Sequence, residues 1–273
     1  MRTRNTPDSS LKRWTPELED GSVPSIAELR AIAQPESVLG RRSAEHWTGH
    51  LYMRRISIYG TRLALQLGLS ADFVTGLMIL VGLAAVATVS IPGLWSAIAG
   101  VALIQLYLGL DCVDGEVARA RNTTGARGVY LDRLGHYLVE GGLLIALGLR
   151  ASDGALAPVI IGLLAAIGGQ CETIATDLVA VARLTHGLGP AEEKASEIKQ
   201  AGLAKGRRLA RWFPVHLATH AAEASLLILA VAIVDQVRSD VVASRALLVA
   251  LMAITATMVV LHLVSILNSR RLD

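Results

Sequence analysis

The chain has little of what stabilises small secreted domains. Two cysteines, Cys112 and Cys171, are all it carries in 273 residues, which excludes a disulfide framework. Both lie in apolar segments, where a free thiol packs like a small hydrophobe. Charged residues amount to 18% and aromatic ones to 4%. The net charge of +3 is too small to point to a nucleic-acid partner. No basic stretch followed by an apolar core opens the sequence, so no cleavable signal peptide is expected. There is no internal repeat and no low-complexity tract.

Apolar sequence is what the chain has in quantity. Hydrophobic residues reach 52%, and they gather into runs of about 20 residues, the length a helix needs to cross the hydrocarbon core. Six such runs fall at roughly 73–91, 94–118, 129–149, 155–181, 214–234 and 246–267. The second and fourth continue beyond the bilayer width into polar ends. The predicted fold is therefore all-α: a polytopic membrane protein with six transmembrane helices plus an N-terminal amphipathic interfacial helix.

The distribution of charge orients this arrangement. Of the 26 Lys and Arg, 10 precede residue 70, 4 lie between Arg119 and Arg133, 7 lie between Arg183 and Arg211, and Arg270 and Arg271 close the sequence. Only Arg150, Arg238 and Arg245 fall in the other connections. Positive charge collects on the cytoplasmic side, so both termini are expected in the cytoplasm of a cell-membrane protein, with the turns near Pro92, Asp153 and Ser239 facing outward. Trp47, Trp95 and Trp212 suit the headgroup level as interface anchors.

Three regions follow. Residues 1–40, rich in Ser, Pro, Arg and Glu without periodicity, read as a mobile cytoplasmic tail. Residues 41–69 mix Leu51, Ile56, Ile58, Leu63 and Leu65 with Arg54, Arg55 and Arg62, a pattern suited to a helix lying on the membrane surface. Residues 70–273 form the membrane domain. Within it, the loop from Leu184 to Arg211 starts with a charged stretch fit for a short helix. It ends on the basic Lys205–Arg208, which suits anionic headgroups.

The chemistry concentrates at the junction of the second and third spans. Asp111 and Asp114 stand three apart, on one face of a helix, and Ala118 extends that face. Gly115 between them lets another group approach the backbone, and Arg119 follows. After a short connection, Asp132 and His136 stand four apart, with Glu140 one turn further. Ionisable residues in membrane segments are rare and usually functional. An antiparallel helix pair would bring Asp111, Asp114, Asp132 and His136 together at one end. Converging carboxylates need a cation between them, and oxygen ligands favour Mg²⁺ bridged to phosphates. Two such ions would stabilise displacement at phosphorus, and Arg119 suits a diphosphate.

Weaker signals accompany this cluster. His216, His220 and Glu223 recur at helical spacing on the fifth span, and Gln170, Thr173 and Asp177 on the fourth. Each stripe either lines a substrate cavity or hydrogen-bonds between helices. Arg127 and Arg133 either bind a substrate phosphate or anchor a helix start. A cation transporter would use buried carboxylates too, but it predicts a site at mid-membrane between paired repeats.

The order Asp111-x2-Asp114-Gly115-x2-Ala118-Arg119-x8-Gly128-x3-Asp132-x3-His136 resembles the signature of the CDP-alcohol phosphotransferases, also called CDP-alcohol phosphatidyltransferases. Seven of its eight fixed positions match at the required spacing; His136 stands where the family has its last aspartate. Ser70–Thr75 is similar to a diverged form of the family's Pro-Asn-x-Val-Thr stretch, which contributes Thr75 to nucleotide binding. The resemblance spans roughly residues 50–270 and is specific at the motif.

This resemblance implies that Asp111, Asp114 and Asp132 ligate two divalent ions, Mg²⁺ or Mn²⁺. It implies that Gly115, Ala118 and Arg119, beside Asp114, hold the CDP moiety. It implies a metal-dependent transferase of phospholipid biosynthesis, moving a substituted phosphate from a CDP-linked donor to a small polar alcohol with release of CMP. CDP-diacylglycerol is the leading donor, and a homodimer with a cytoplasmic site is expected. The alternatives are transfer from a soluble CDP-polyol to a lipid or envelope glycan, or a catalytically inactive homologue. His136 can act as general base beside Asp132 or as a ligand tilting the site toward Mn²⁺. Glu140 is placed to supply a replacement carboxylate.

Overall fold

The computed structural model describes residues 24–35, 49–189, 215–269 and 271–272. Among them are eight α-helices and no strand. They are α1 (Ile26–Ala33), α2 (Arg54–Gln66), α3 (Ala71–Ser90), α4 (Leu94–Ala120), α5 (Ala126–Arg150), α6 (Leu156–Thr185), α7 (Ala221–Arg238) and α8 (Val242–Leu267). A π-helical turn, Gly49–Met53, leads into α2, and a 3₁₀ turn, Val215–Thr219, precedes α7. The basic loop after Leu188 and the residues of Trp47 and Trp212 lie almost wholly outside the described residues.

Among the described residues, α3, α4, α6 and α8 are long and apolar enough to cross a membrane. Each leaves large apolar side chains exposed, among them Leu80 on α3, Leu106 on α4, Leu163 on α6 and Val260 on α8. In water such surfaces are a liability; in lipid they face the solvent they match. Two of the six predicted runs, on α5 and α7, do not meet that standard. Helix α5 carries Arg127, Asp132, Arg133 and Glu140 and buries most of its second half. Helix α7 begins only at Ala221, because the chain leaves regular α-geometry at His220, whose extended backbone caps it.

The chain divides into two compact units. The first comprises residues up to Met78 together with Leu108–Asp132. It holds α1 and α2, the first turns of α3, the second half of α4 and the start of α5. Helix α1 was not predicted, since its eight residues fall in the segment expected to be an unstructured tail. A capping box starts it: Ser25 accepts from the Glu28 amide, and Glu28 accepts from the Ser25 amide at 2.8 Å. Leu29 and Ala33 then pack on Ile58 of α2 and Ala120 of α4.

Helix α2 buries two hydroxyl side chains beside Ile58 and Ala64. Ser57 and Thr61 are buried, while Ile56, Tyr59, Leu63 and the following Leu67 are exposed along one stripe. Helix α4 ends in a Schellman motif: Thr123 donates to the Ala118 carbonyl and Asn122 to that of Arg119. Asn122 takes the left-handed conformation this needs, φ 51°, which asparagine tolerates better than most residues. The reversal lets α5 start at Ala126, with five residues between it and the end of α4.

The second unit comprises Ile79–Tyr107 and Arg133–Asp273. Its helices approach closely through glycine. A Cβ on Gly162 of α6 would lie 2.7 Å from the Leu144 carbonyl oxygen and 3.1 Å from Gly148 Cα of α5, so the two backbones touch there. Small residues permit such crossings where no hydrophobic driving force separates protein from lipid. Helix α8 packs on α6 and α7.

The three arginines that broke the charge pattern all tie down turns in this unit. Arg150 is buried and donates to the carbonyls of Ile91 (2.9 Å) and Gly93 (2.6 Å). Arg245 donates to those of Ala151 and Ser152. Arg238 pairs with Asp240 at 3.0 Å. Asp235 accepts from the amides of Ala243 and Ser244 and so serves the start of α8.

Candidate metal and phosphate site

The first unit contains a cavity of about 300 Å³. Its walls include seven of the residues singled out above: Thr75, Asp111, Asp114, Gly115, Ala118, Arg119 and Asp132. Helix periodicity accounts for the α4 contribution. Asp111, Asp114, Gly115 and Ala118 recur at three- and four-residue steps and present one face, while the Schellman turn returns the chain so that Gly128 and Asp132 of α5 close the opposite wall. Thr123, Thr124 and Gly125 of the connection complete that end.

The carboxylates differ in their surroundings. Asp114 is 7% exposed, and its Oδ2 accepts a 2.7 Å hydrogen bond from the Thr75 hydroxyl. The diverged Ser70–Thr75 stretch is thereby fastened to the motif. Asp111 and Asp132 are half-buried on the cavity wall. Three carboxylates lining one small space repel each other without a cation. Their all-oxygen donor set fits a hard divalent ion such as Mg²⁺.

Arg119 supplies the opposite charge. Its Nε donates to the Ala33 carbonyl at 2.6 Å. Its guanidinium lies over Gly115, where an added Cβ would come within 3.2 Å of Nη1. Glycine here has a steric reason: any side chain would push the guanidinium aside.

Arg127, whose side chain is largely exposed, pairs with Asp72 at 3.0 Å. Asp72 lines the cavity as well; its acidic position at the start of α3 was the available clue.

In the second unit, His136 follows Asp132 by one turn of α5. Its Nδ1 lies 3.0 Å from the Tyr107 hydroxyl, and the rings meet edge to face at 5.9 Å. Tyr107 is fully buried. Sequence reasoning missed this tyrosine, since a lone aromatic in an apolar run carries no distinguishing signal.

The weaker stripes resolve here too. Asp177 accepts from Tyr137 at 2.5 Å and pairs with Arg133 at 2.9 Å, and Gln170 donates to the Tyr137 carbonyl at 2.7 Å. Interhelical bonding thus engages Asp177, Gln170 and Arg133. Glu140 faces His220 at 3.4 Å. A second cavity of about 200 Å³ is lined by Arg133, Glu140, Gln170, Glu172, Thr173 and His220. The predicted His216–His220–Glu223 helical stripe does not form, because residues 215–219 are 3₁₀ and His220 is a cap; the His216 side chain lies outside the described residues. Cys112 is buried and Cys171 exposed, both as free thiols.

Compared with known proteins, the chain matches no family model and no curated protein.

Proposed function

We propose that this chain is an integral membrane transferase that moves a substituted phosphate, phosphatidyl foremost, from a CDP-linked donor to an alcohol and releases CMP. The observation that carries the reading is the single cavity in which Thr75, Asp111, Asp114, Arg119 and Asp132 line the walls and Gly115 leaves the guanidinium room. Carboxylates on one side and a positioned arginine on the other form the complement of a metal-bound diphosphate.

In this reading Asp111, Asp114 and Asp132 would hold two Mg²⁺ or Mn²⁺ ions, which when bound would neutralise the diphosphate charge. Arg119 binds the phosphate oxygens, and Gly115 and Ala118 admit the nucleotide close to α4. The acceptor hydroxyl oxygen attacks the phosphorus carrying the substituent. The bond from that phosphorus to the bridging oxygen breaks, and CMP leaves with both bonding electrons. His136 takes the hydroxyl proton on Nε2, which requires Nδ1 to carry the other proton and donate it to the Tyr107 oxygen. Such transfer is mostly positioning and charge neutralisation, which suits a site built from so few groups.

The same reading places all six apolar runs across the cell membrane, α2 on its cytoplasmic surface and both termini inside, in a homodimer. The exposed Ile56–Tyr59–Leu63–Leu67 stripe of α2 supports the surface helix, since among the described residues these apolar side chains stay largely uncovered.

The test is CMP release by purified protein with CDP-diacylglycerol, Mg²⁺ or Mn²⁺, and a panel of polar alcohols. Metal-dependent release with one acceptor, abolished by chelation and in Asp111→Asn, is the expected result. No release with any acceptor or with CDP-polyol donors would sink the proposal.

A further inference from the structure

Glu116 lies inside the motif yet does not line the cavity. It is fully buried, and its oxygens collect four donors. Oε1 accepts from Ser57 (2.6 Å), Gln34 (2.9 Å) and Arg54 (3.1 Å), and Oε2 accepts from Thr61 at 2.6 Å. A buried carboxylate is costly unless its charge and lone pairs are met. Here Arg54 meets the charge, and three neutral donors meet the rest.

The donors reach from α2 and from the residue that ends α1. Gln34 also donates to the Arg54 carbonyl at 2.8 Å, so its amide bridges both groups. The residue before it, Ala33, gives its carbonyl to Arg119 across 86 positions of sequence. Ala33 is held where it is by Leu29, Ile58 and Ala120. A carbonyl orients a guanidinium without neutralising it, whereas Glu116 is met by Arg54. The two arginines thus differ in their hydrogen-bond partner: Arg54 bonds to the buried acid, and the Arg119 guanidinium is fixed by a neutral carbonyl.

We infer that α1, clamped through Gln34 to Glu116, is a positioning device for Arg119, so that affinity for a phosphate-bearing ligand depends on a short helix far upstream of the motif. This inference rests on the reading of the cavity given above. Gln34 and Glu116 act through Arg119 and are positioning residues.

The probe is CDP with Mg²⁺, titrated calorimetrically into the purified full-length chain in detergent. Glu116→Ala strands four donors and risks unfolding, so the informative variants are Gln34→Ala and Leu29→Ala, each alone and combined with Arg119→Ala. Each single variant is expected to weaken CDP binding by about ten-fold, the scale of a lost hydrogen bond to a charged group. In the Arg119→Ala background neither should weaken it further. A purely structural role would lower the melting temperature and leave affinity alone, or give losses that add to that of Arg119→Ala; either result overturns the inference. A wild-type chain that binds neither CDP nor pyrophosphate overturns the reading of the cavity, and the inference falls with it. Binding by wild type with additive losses sinks the inference alone.

Discussion

The two units bury polar groups for different ends. In the first, side chains from separate helices converge on single carboxylates: four donors on Glu116, and Thr75 on Asp114. In the second, buried or half-buried arginines bond to turn carbonyls, a half-buried Asp177 is met by Tyr137 and Arg133, and α5 and α6 approach glycine on backbone at Gly148 and Gly162. The second pattern holds a helical bundle in shape. The first holds particular atoms at particular points, which a bundle alone does not require, and it surrounds the cavity that gathers the three aspartates and Arg119. The fully buried carboxylate with four side-chain donors, within one helical turn of the cavity-lining residues of α4, marks where geometry, and not stability alone, is being maintained.

The strongest way to break this comparison is Glu116→Ala. Removing the acceptor leaves Arg54 charged beside unmet donors, and a loss of about 3–5 kcal/mol is expected, read as a fall in thermal midpoint in detergent. A loss under about 1 kcal/mol would mean the hub contributes little. Asp111→Asn should do the opposite. Asp111 lies on the cavity wall, so CMP release should fall by about 10²- to 10³-fold with the thermal midpoint within error of wild type. Coupled losses of activity and stability would show that the two roles are not separated.

Gly162→Ala sharpens the contrast from the other unit. Its Cβ would meet the Leu144 carbonyl at 2.7 Å, and backbone cannot yield as a side chain can. Destabilisation of about 1–3 kcal/mol is expected, while CMP release per folded molecule stays the same.

The smallest effects belong to α1. Ser25→Ala should weaken α1 by about 1 kcal/mol, seen as faster amide exchange over residues 26–33. The Ser25 hydroxyl and amide hold Glu28 below the usual carboxylate range. A depressed folded value means that this contribution is present above the unfolded value of about 4.3 and is lost as pH falls through the folded one. Protection of the α1 amides, corrected for the pH dependence of intrinsic exchange, should therefore fall on acidification in wild type, and this fall should shrink in Ser25→Ala. Equal pH dependence in both would remove Ser25 as the cause.

Much of this arrangement could be read from residue order. The four helices fit to span a membrane coincide with four of the six apolar runs, because a 20-residue apolar stretch has few alternatives to a helix in lipid. The α4 face of the cavity was equally legible, since three- and four-residue spacing on a helix leaves no freedom in which residues align. Helix α1 was not, being too short for periodicity to register. The break before Ala221 also went unseen, for His220 lies in a run whose composition permits unbroken helix. Glu116 carried no signal at all: within the motif it resembles any surface glutamate, and its value depends on Gln34, Arg54, Ser57 and Thr61 arriving from elsewhere.

The sequence by itself determined that the chain is helical and membrane-suited, and that Asp111, Asp114, Gly115, Ala118 and Arg119 share one helical neighbourhood. Those are consequences of local spacing and of the solvent each segment can tolerate. Tertiary structure alone decided which of the polar residues meet. Thr75 with Asp114, Ala33 with Arg119 and Tyr107 with His136 are joined across 29 to 86 positions. The free energy of such a bond exists only once packing has already brought both partners into a dry, shared space, and no spacing rule along the chain encodes that.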